Sequence, residues 1–364
     1  MIRPVMSQNA SGRENGMRIL IVSDAWHPQV NGVVRTLTKT REVLERRGHV
    51  VEVIGPGEFR RVPCPTYPEI ELSILPYRKL VRLIEAFAPD AIHIATEGPL
   101  GMAARKYCKR HDLIFTTAYH TKFPEYVQER TGIPLSWSYA FMRWFHNGGA
   151  GMMVATDSLA KSLTERGFRN LRTWSRGVDI ERFKPRPKDI LDLPRPIYLY
   201  AGRVVVDKNV EAFLKLKLDG TKLVVGIGPD LEGYRAKYPE AVFAGYLENG
   251  HLASYFSAAD VFVFPSLTDT FGLVVLEALA SGVPVAAYPV TGPIDIVGPH
   301  PEVGALDDDL AVAIQGALGK SPDACRDLAL QYSWDACTDQ FLRNLVLLER
   351  PVPRASVAST AKAV

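Results

Sequence analysis

Short apolar runs alternate with amphipathic helical segments along most of this chain, and this alternation constrains the fold more strongly than any other feature. Runs such as ILIV are apolar on both faces, which is typical of strands in a parallel sheet that helices cover on each side. In the first half, the pattern predicts strands at 18–24, 49–56, 91–96, 114–120 and 151–157, with helices at 33–48, near 77–87 and near 100–111. The first half is therefore predicted to be a doubly wound α/β domain.

The alternation restarts after a proline-rich segment, PRPKDILDLPRP, which has no hydrophobic periodicity and is predicted to be a linker. Beyond it, strands are predicted at 196–203, 221–228, 241–247, 260–266 and 283–289, and late helices near 308–319 and 322–332. The predicted boundaries are a disordered arm (1–16), a first domain (17–185), the linker (186–196), a second domain (197–333), a C-terminal helix (334–350) and a disordered tail (351–364). Ligands of such sheets bind beyond the carboxyl ends of the strands, so two facing domains would form a binding cleft.

The composition fits a soluble two-domain protein of the cytoplasm. The chain has 364 residues, which is long enough for two cores. Its four cysteines are scattered and form no CxxC pair, which argues against a zinc site or a disulfide framework. The most apolar stretch, 271–290, is interrupted by an acid, a glycine and two prolines, so no membrane span is predicted. The first residues lack the apolar centre of a signal peptide.

The net charge of +3 hides an asymmetry between the two halves. Residues 17–190 contain 27 Lys/Arg against 18 Asp/Glu, a net charge of +9, whereas residues 191–350 contain 12 against 21, a net charge of −9. A basic half beside an acidic half indicates that the first half faces something anionic. Phosphate groups, nucleic acid and a negatively charged membrane surface are the candidates.

Several short motifs could carry chemistry, although each also has a purely structural interpretation. Asn31-Gly32 precedes the first long helix and could hold a phosphate or simply cap that helix. Gly202-Arg203 ends a strand, and Lys208 follows five residues after Arg203; two cations there suit a diphosphate or are solvated surface charges. His120 ends another predicted strand and could donate a hydrogen bond or a proton, or be an ordinary loop histidine.

Two amphipathic segments are similarly ambiguous. The aromatic stretch 135–149 could enter a bilayer surface or line an acyl pocket, and packing of its helix on the core is favoured. The basic helix at 76–87 could likewise either contact a bilayer surface or pack on the core. The turn LVVGIGPDLEGY contains Gly226 and Gly228 but does not match the dinucleotide pattern GxGxxG.

The stretch PSLTDTFGLVVLEALASGVPV, residues 265–285, places two acids in an otherwise apolar segment. A strand leads into a loop that carries Asp269, and a helix begins near Phe271-Gly272, so that Glu277 lies about one and a half turns into the helix. The free N-terminus of this helix, which carries partial positive charge, lies between the acids. The two carboxylates can accept hydrogen bonds, and the backbone N–H groups between them can donate hydrogen bonds. This arrangement suits a ligand with hydroxyl groups at both ends and phosphates between them, as in a sugar nucleotide.

Arg203 followed by Lys208, the GIGP turn and an acid eight positions before Glu277 together resemble the retaining glycosyltransferases of family 4. PQVNGVVRTL, AYHTKFPEYV and WSRGVDIERFKP further resemble the lipid-directed branch, the sulfoquinovosyl, glucosyl and glucuronosyl diacylglycerol synthases. The resemblance extends from about residue 17 to 350. It implies the GT-B fold, two facing Rossmann-like domains, with the C-terminal helix crossing back to the first domain.

The resemblance also implies roles for individual residues. Arg203 and Lys208 would hold the diphosphate and stabilise the departing charge. His120 would contact the donor sugar near the reacting carbon, Asp269 would bind sugar hydroxyl groups, and Glu277 would bind the ribose. The rest of the implied donor site is Gly32, Phe271 and Gly272, whose backbone would face phosphate, Gly245, Tyr246 and Leu247, which would border the base, and Gly228, Thr270 and Leu273.

One residue departs from the family pattern, because Asp269 stands where glutamate is usual. Its side chain is one methylene shorter, which leaves the identity of the sugar open. Catalysis in such families is proposed to proceed on the front face of the sugar with retention and without a metal, so no cofactor is expected. The acidic run LDDDL, 306–310, is predicted to be an N-terminal charge cluster of a late helix and not a metal site.

The acceptor implied by the resemblance is a membrane lipid, with diacylglycerol as the first choice and a donor of the UDP-glucose or UDP-glucuronate type. Each basic residue near an anionic bilayer contributes about 1 kcal/mol, so the basic first domain is expected to dock peripherally on the inner face of the cell membrane. A mannosyl- or other hexosyltransferase that acts on phosphatidylinositol, a polyprenyl-linked sugar or a soluble glycan, with a GDP-sugar donor, is the alternative. A basic nucleotide- or nucleic-acid-binding protein is disfavoured, because RNA-binding signatures are missing and the two acids would have no role in it.

Overall fold

The computed structural model describes residues 16–29, 31–64, 67–247, 249–349 and 351–352. The chain forms two compact units. The described residues of Met1–Ala118, Met142–Met152 and Leu342–Val364 belong to the first unit, and those of Tyr119–Phe141 and Met153–Phe341 belong to the second.

The first sheet has six strands in the order β2-β1-β5-β6-β7-β8, and the pairs β1–β2, β1–β5 and β5–β6 are parallel. Its strands are β1 (Arg18–Val22), β2 (Val50–Ile54), β5 (Ala91–Ile94), β6 (Thr116–Tyr119), β7 (Gly151–Val154) and β8 (Leu171–Thr173). All five strands that the sequence predicts are present. The short strand β8 and an antiparallel hairpin, β3 (Arg61–Cys64) with β4 (Tyr67–Ser73), were not predicted.

The second sheet has six parallel strands in the order β11-β10-β9-β12-β13-β14. The strands are β9 (Ile197–Ala201), β10 (Thr221–Val225), β11 (Val242–Gly245), β12 (Val261–Phe264), β13 (Val285–Ala287) and β14 (Gly304–Leu306). Numbered within this sheet, the order is 3-2-1-4-5-6, the doubly wound order of dinucleotide-binding folds. The switch of direction lies between β9 and β12, which places the expected ligand crevice beyond their carboxyl ends.

Helices follow the strands as the amphipathic pattern predicts. They are α1 (Gly32–Arg46), α2 (Tyr77–Phe87), α3 (Pro99–Arg110), α4 (Phe123–Thr131), α5 (Leu135–His146), α6 (Asp157–Glu165), α7 (Val210–Leu214), α8 (Leu231–Lys237), α9 (Asn249–Ala258), α10 (Leu273–Ala280), α11 (Pro293–Ile296), α12 (Leu310–Ala317), α13 (Pro322–Leu330) and α14 (Trp334–Asn344). Helix α14 ends six residues before the predicted end at 350.

Apolar side chains cover both faces of the second sheet, as expected for parallel strands. Leu199 of β9 and Phe262 of β12 belong to one core, whereas Tyr200 and Val263, the next residues along the same strands, belong to a core on the other face. Because successive strand residues point to opposite faces, each central strand holds two layers together.

The aromatic segment 135–149 combines core and surface residues. Tyr139 and Phe145 are buried, which agrees with the favoured core interpretation, but Trp137 is 73% exposed and Trp144 is 49% exposed. Within the described residues, no helix has the length and apolar character that crossing a membrane requires.

Candidate functional site

The loops after β9 and β12 lie next to each other at the switch point of the second sheet, where the doubly wound topology places a ligand. Three of the side-chain contacts between described residues join them. Asn209 Nδ2 donates to the carbonyl oxygen of Pro265 (3.1 Å), and Thr268 Oγ1 donates to the carbonyl oxygen of Asp207 (3.4 Å). The third contact is the ion pair between Lys208 and Asp269. The structure therefore brings together residues that lie about sixty positions apart in the sequence.

Lys208 and Asp269 form the central pair of this cluster. Lys208 Nζ lies 2.7 Å from Asp269 Oδ1, and the two side chains are 16% and 22% exposed. Burial acts to raise the pKa of Asp269, but the charge and hydrogen bond of Lys208, a hydrogen bond from Ser266 and the charge of Arg203 together hold the pKa below its usual value. The carboxylate of Asp269 therefore stays ionised at neutral pH.

Arg203 lies on the same loop and reaches toward solvent. Its side chain is 41% exposed, and Nη2 lies 3.8 Å from Oδ2 of Asp207, whose side chain is 3% exposed. The carbonyl oxygen of Arg203 accepts a hydrogen bond from the hydroxyl of Tyr200 (2.7 Å), which fixes the backbone where the chain leaves β9. A buried carboxylate thus orients an exposed guanidinium, an arrangement suited to holding an anion at this edge of the sheet.

Helix α10 presents its N-terminus and Glu277 on the other side of the switch point. Gly272 precedes the helix with φ +81° and gives it no side-chain cap, a conformation that glycine adopts without strain. The side chain of Phe271 packs in the core and that of Leu273 is half-buried, so both can offer a ligand their backbone. Glu277 is the fifth residue of α10 and is 2% exposed.

His120 and Thr270 also belong to this cluster. Thr270 Oγ1 donates to the carbonyl oxygen of His120 (2.7 Å), which ties the loop after β6 to the loop after β12. The ring of His120 meets the ring of Trp174 edge to face, with centroids 5.7 Å apart, and Nδ1 lies 3.3 Å from Arg176 Nη2. His120 is therefore held from both its backbone and its ring.

The glycine turns border the cluster at the ends of β10 and β11. A Cβ atom at Gly228 would lie 2.0 Å from the carbonyl oxygen of Val204, so only glycine permits this close approach. The amide of Gly226 donates to the carbonyl oxygen of Gly245 (2.8 Å), which holds the two turns together.

Tyr246 and Leu247 follow β11 directly. Tyr246 is 65% exposed, and Leu247 is half-buried against the core. An exposed aromatic side chain at the end of a strand offers a flat surface, and its role beside the base stays a prediction.

Gly32 belongs to the first unit, and the structure shows its local role only. It is the first residue of α1, and Asn31 Oδ1 accepts hydrogen bonds from the amides of Val33 and Val34, both at 3.0 Å. The capping interpretation of Asn31 is therefore confirmed, whereas contact of Gly32 with phosphate stays a prediction.

The acidic run 306–310 caps a helix, as predicted. Asp309 Oδ1 accepts a hydrogen bond from the amide of Ala311 (2.8 Å) at the start of α12, and Asp307 accepts one from the amide of Asp309 (2.8 Å). In the part of the chain that the structure describes, no group of three or more His, Cys, Asp or Glu side chains could hold a metal ion.

Sequence reasoning missed three charged residues of this region. Asp207 orients Arg203, Arg176 contacts the ring of His120, and Lys122 donates to Thr291 Oγ1 (3.2 Å). Burial lowers the pKa of Lys122, while its neighbours Glu125 and Asp269 act to raise it. Lys122 and Arg176 lie in the motifs AYHTKFPEYV and WSRGVDIERFKP, which carry the family resemblance and could have indicated both residues. Their partners in space could not be predicted, because they lie far away in the sequence.

The cluster combines two cations, the N-terminus of a helix and two acids at the end of a parallel sheet. Arg203, Lys208 and the N-terminus of α10 can hold a diphosphate, and Asp269 and Glu277 can accept hydrogen bonds from hydroxyl groups. A nucleotide sugar offers both kinds of group in one molecule.

Comparisons with known proteins agree with this chemistry. The family model for Glycosyltransferase Family 4 matches residues 30–182, and the model for Glycosyl transferases group 1 matches residues 195–319. A GDP-mannose-dependent alpha-mannosyltransferase of Mycobacterium tuberculosis is 30% identical over 90% of this chain and 96% of its own length. The sulfoquinovosyl transferase SQD2 of Arabidopsis thaliana is 32% identical over 71% of this chain and 53% of its own.

An alpha-monoglucosyldiacylglycerol synthase of Streptococcus pneumoniae is 25% identical over 84% of this chain and 79% of its own length. Among solved structures, a sucrose-phosphate synthase of Thermosynechococcus elongatus superposes with a TM-score of 0.71 at 22% identity, over 90% of this chain and 98% of that one. The Anabaena protein HepE in complex with UDP-glucose superposes with a TM-score of 0.67 at 15% identity, over the same shares of the two chains. The predicted GT-B fold, with two Rossmann-like domains, is confirmed.

Proposed function

Because the chain belongs to glycosyltransferase family 4, we propose that it transfers a hexosyl or hexuronosyl group, with retention, from a nucleotide sugar to a hydroxyl group of a membrane lipid. The observation that carries the proposal is the Lys208–Asp269 pair (2.7 Å) at the switch point of the second sheet, beside Arg203 and the N-terminus of α10. The proposed lipid is diacylglycerol, and the proposed donor is UDP-glucose or UDP-glucuronate. The relative in Streptococcus pneumoniae is named an alpha-monoglucosyldiacylglycerol synthase, and this name includes the proposed lipid.

In the proposed reaction, the glycosidic bond to the nucleoside diphosphate breaks while the acceptor hydroxyl oxygen bonds to the same face of the sugar and its proton passes to the departing diphosphate oxygen. Negative charge develops on the departing diphosphate, and Lys208 and Arg203 lie where fixed positive charge stabilises it. Glu277 holds the ribose and Asp269 the sugar, which fixes the reacting carbon relative to the acceptor. We propose that no metal is needed, so EDTA should leave the rate unchanged.

The GDP-mannose-dependent relative supports a second candidate, a mannosyltransferase that uses GDP-mannose. The same cluster would hold either nucleotide, because diphosphate and ribose are common to both donors. The candidates differ in the base and in the sugar.

A donor panel tests both candidates directly. Purified protein is incubated with radiolabelled UDP-glucose, UDP-glucuronate and GDP-mannose, each with vesicles that contain diacylglycerol. We expect label in a lipid extract with a UDP-sugar, and none when triacylglycerol, which lacks a free hydroxyl group, replaces diacylglycerol. Labelled lipid from GDP-mannose alone would replace the first candidate with the second. No labelled lipid from any donor would contradict a lipid acceptor.

The proposed membrane contact is the basic helix α2 of the first unit. Ile74 and Leu75 precede it and are 44% and 91% exposed, and the exposed side chains of Arg78 and Lys79 follow. Apolar side chains beside clustered cations suit the surface of an anionic bilayer. The helix would bring the protein to the lipid that carries its acceptor.

Vesicle flotation tests this contact. Binding to vesicles with anionic lipid should weaken as salt is raised, because exposed charges are screened. Arg78→Glu combined with Leu75→Ser should reduce the bound fraction, whereas the control Lys217→Glu, at an exposed lysine of the second unit, should not. Binding that neither salt nor the double variant weakens would argue against this contact surface.

A further inference from the structure

Arg176 is a buried guanidinium that contacts His120 and has no ion pair within the described part of the chain. Its side chain is 4% exposed. Nη1 donates to the carbonyl oxygens of Trp174 and Ser175, and Nη2 lies 3.3 Å from His120 Nδ1. Burial lowers the pKa of Arg176 to about 10, while the neighbouring Cys337 acts to raise it, so the guanidinium stays charged at neutral pH. A buried cation without a carboxylate partner is costly, and such groups concentrate at functional sites.

The contact with Arg176 determines where His120 carries its hydrogen. A guanidinium has N–H donors and no acceptor, so His120 Nδ1 must be the acceptor of this hydrogen bond. In a neutral imidazole with an unprotonated Nδ1, the hydrogen is on Nε2. Protonation of His120 would replace the acceptor at Nδ1 with a second donor and would place two positive charges next to each other.

The surroundings hold both groups in this geometry. The ring of Trp174, which is fully buried, meets His120 edge to face and carries the guanidinium of Arg176 over its own face, 4.7 Å from the centroid. Phe341 packs against Trp174 with centroids 4.9 Å apart. The backbone of His120 is fixed separately by Thr270. Neither the imidazole nor the guanidinium can turn without disturbing this packing.

We propose that Arg176 is a positioning residue that keeps His120 neutral with its hydrogen on Nε2. His120 then offers the donor sugar a permanent hydrogen-bond donor and does not act as a general acid. The role toward the donor sugar rests on the proposed function, whereas the tautomer of His120 does not depend on it.

The tautomer can be observed without any substrate. In protein labelled with ¹⁵N-histidine, long-range ¹H–¹⁵N spectra distinguish a protonated from an unprotonated ring nitrogen, and His120→Gln identifies the signals of His120. For the wild type at neutral pH we expect a protonated Nε2 and an unprotonated Nδ1. A wild-type His120 with its hydrogen on Nδ1, or on both nitrogens, would overturn the proposal before any arginine variant is made.

Two variants then test the role of Arg176. Arg176→Met should shift His120 to a mixture of tautomers and protonated ring, and Arg176→Lys, which keeps the positive charge and a donor, should retain the wild-type tautomer. Arg326→Met is the matched control, because Arg326 also donates to backbone carbonyl oxygens of this unit (Phe183, Ala280 and Ile180) and donates to no histidine among the described residues. The control should leave the His120 signals unchanged.

Activity separates a positioning role from a structural one. Once a donor is identified, Arg176→Met should lower kcat by roughly 10²-fold, the size of effect that a small misplacement of a reacting group produces, with little change in the donor KM. Arg176→Lys should recover part of that loss. An altered tautomer with unchanged kcat would overturn the link to catalysis. If no nucleotide sugar serves as a donor, the proposed function is wrong, but the result on the tautomer of His120 remains valid.

Discussion

Replacing Lys208 with methionine is expected to lower kcat by roughly 10²- to 10³-fold, the size of effect that follows the loss of one preorganised electrostatic contact to developing charge. Methionine keeps most of the length of the side chain and removes only the ammonium. The effect is expected to be large because Lys208 lies at the switch point, where its ammonium is held 2.7 Å from Asp269. Steady-state kinetics with the donor found by the panel, followed as glycosylated product, measure the change.

Lys188 provides the matched control for this variant. Its ammonium also pairs with an aspartate, Asp260, at 3.2 Å, but Asp260 precedes β12 and so lies at the amino end of the strand. Lys188→Met should therefore leave kcat close to the wild-type value. Equal losses in Lys208→Met and Lys188→Met would show that the defect is a general loss of stability.

A purely structural role of the Lys208–Asp269 pair makes a different prediction. If the pair only tied two loops together, Lys208→Met would harm the protein by leaving Asp269 without its counter-charge, and adding Asp269→Asn would restore activity. We expect no such rescue, because the double variant still lacks the cation at the diphosphate. Recovery of turnover in Lys208→Met/Asp269→Asn would contradict the catalytic assignment.

The fold could be predicted because each central strand is apolar on both faces. The run VFVF of β12 is buried at every position, which is typical of a central strand in a parallel sheet that helices cover on both faces. The strand order could not be predicted, since it depends on which strands pair in space. Observing β9 beside both β10 and β12 is what identifies the switch point.

The end of α14 shows where sequence reasoning failed and why. The apolar segment LVLL, 345–348, lies within the C-terminal helix that the sequence predicts at 334–350. Instead, the amide of Leu348 donates to the carbonyl oxygen of Asp90 (2.8 Å), and Leu347 forms an antiparallel bridge with Ala91. Pairing within the first unit outweighs the local helical preference, and nothing within this short segment reveals that partner.

The residues of the candidate site likewise fall into those that the sequence indicates and those that it does not. Lys208 and Asp269 could be proposed as candidates because they follow predicted strand ends, where ligands of such sheets bind, and Glu277 because it is an acid within an apolar helix. Arg176 could not, because its partner, His120, is 56 positions away in the chain. Lys122 and its hydroxyl partner are 169 positions apart. Their function depends on neighbours that only folding brings close.

Glu277→Gln is expected to weaken binding of the donor roughly 10- to 100-fold. Glu277 is 2% exposed on α10, between Leu276 and Ala278, and a carboxylate buried in such apolar surroundings is costly unless it is hydrogen-bonded. Charge-assisted hydrogen bonds to the two ribose hydroxyl groups are each worth about 1.5–3 kcal/mol, and glutamine keeps the shape of the side chain while removing its charge.

Isothermal titration with the nucleoside diphosphate and with pyrophosphate isolates this contribution. The Glu277→Gln variant should bind the nucleoside diphosphate more weakly and pyrophosphate as the wild type does, because only the first ligand contains a ribose. Glu232→Gln, at a glutamate of α8 whose side chain is 76% exposed, is the control and should bind both ligands normally. Equal losses for the two ligands would place Glu277 in the structural support of the phosphate site, and unchanged binding of the nucleoside diphosphate would remove it from the donor site. The contrast between the two ligands therefore tests whether the acid inside an apolar helix is there for the ribose.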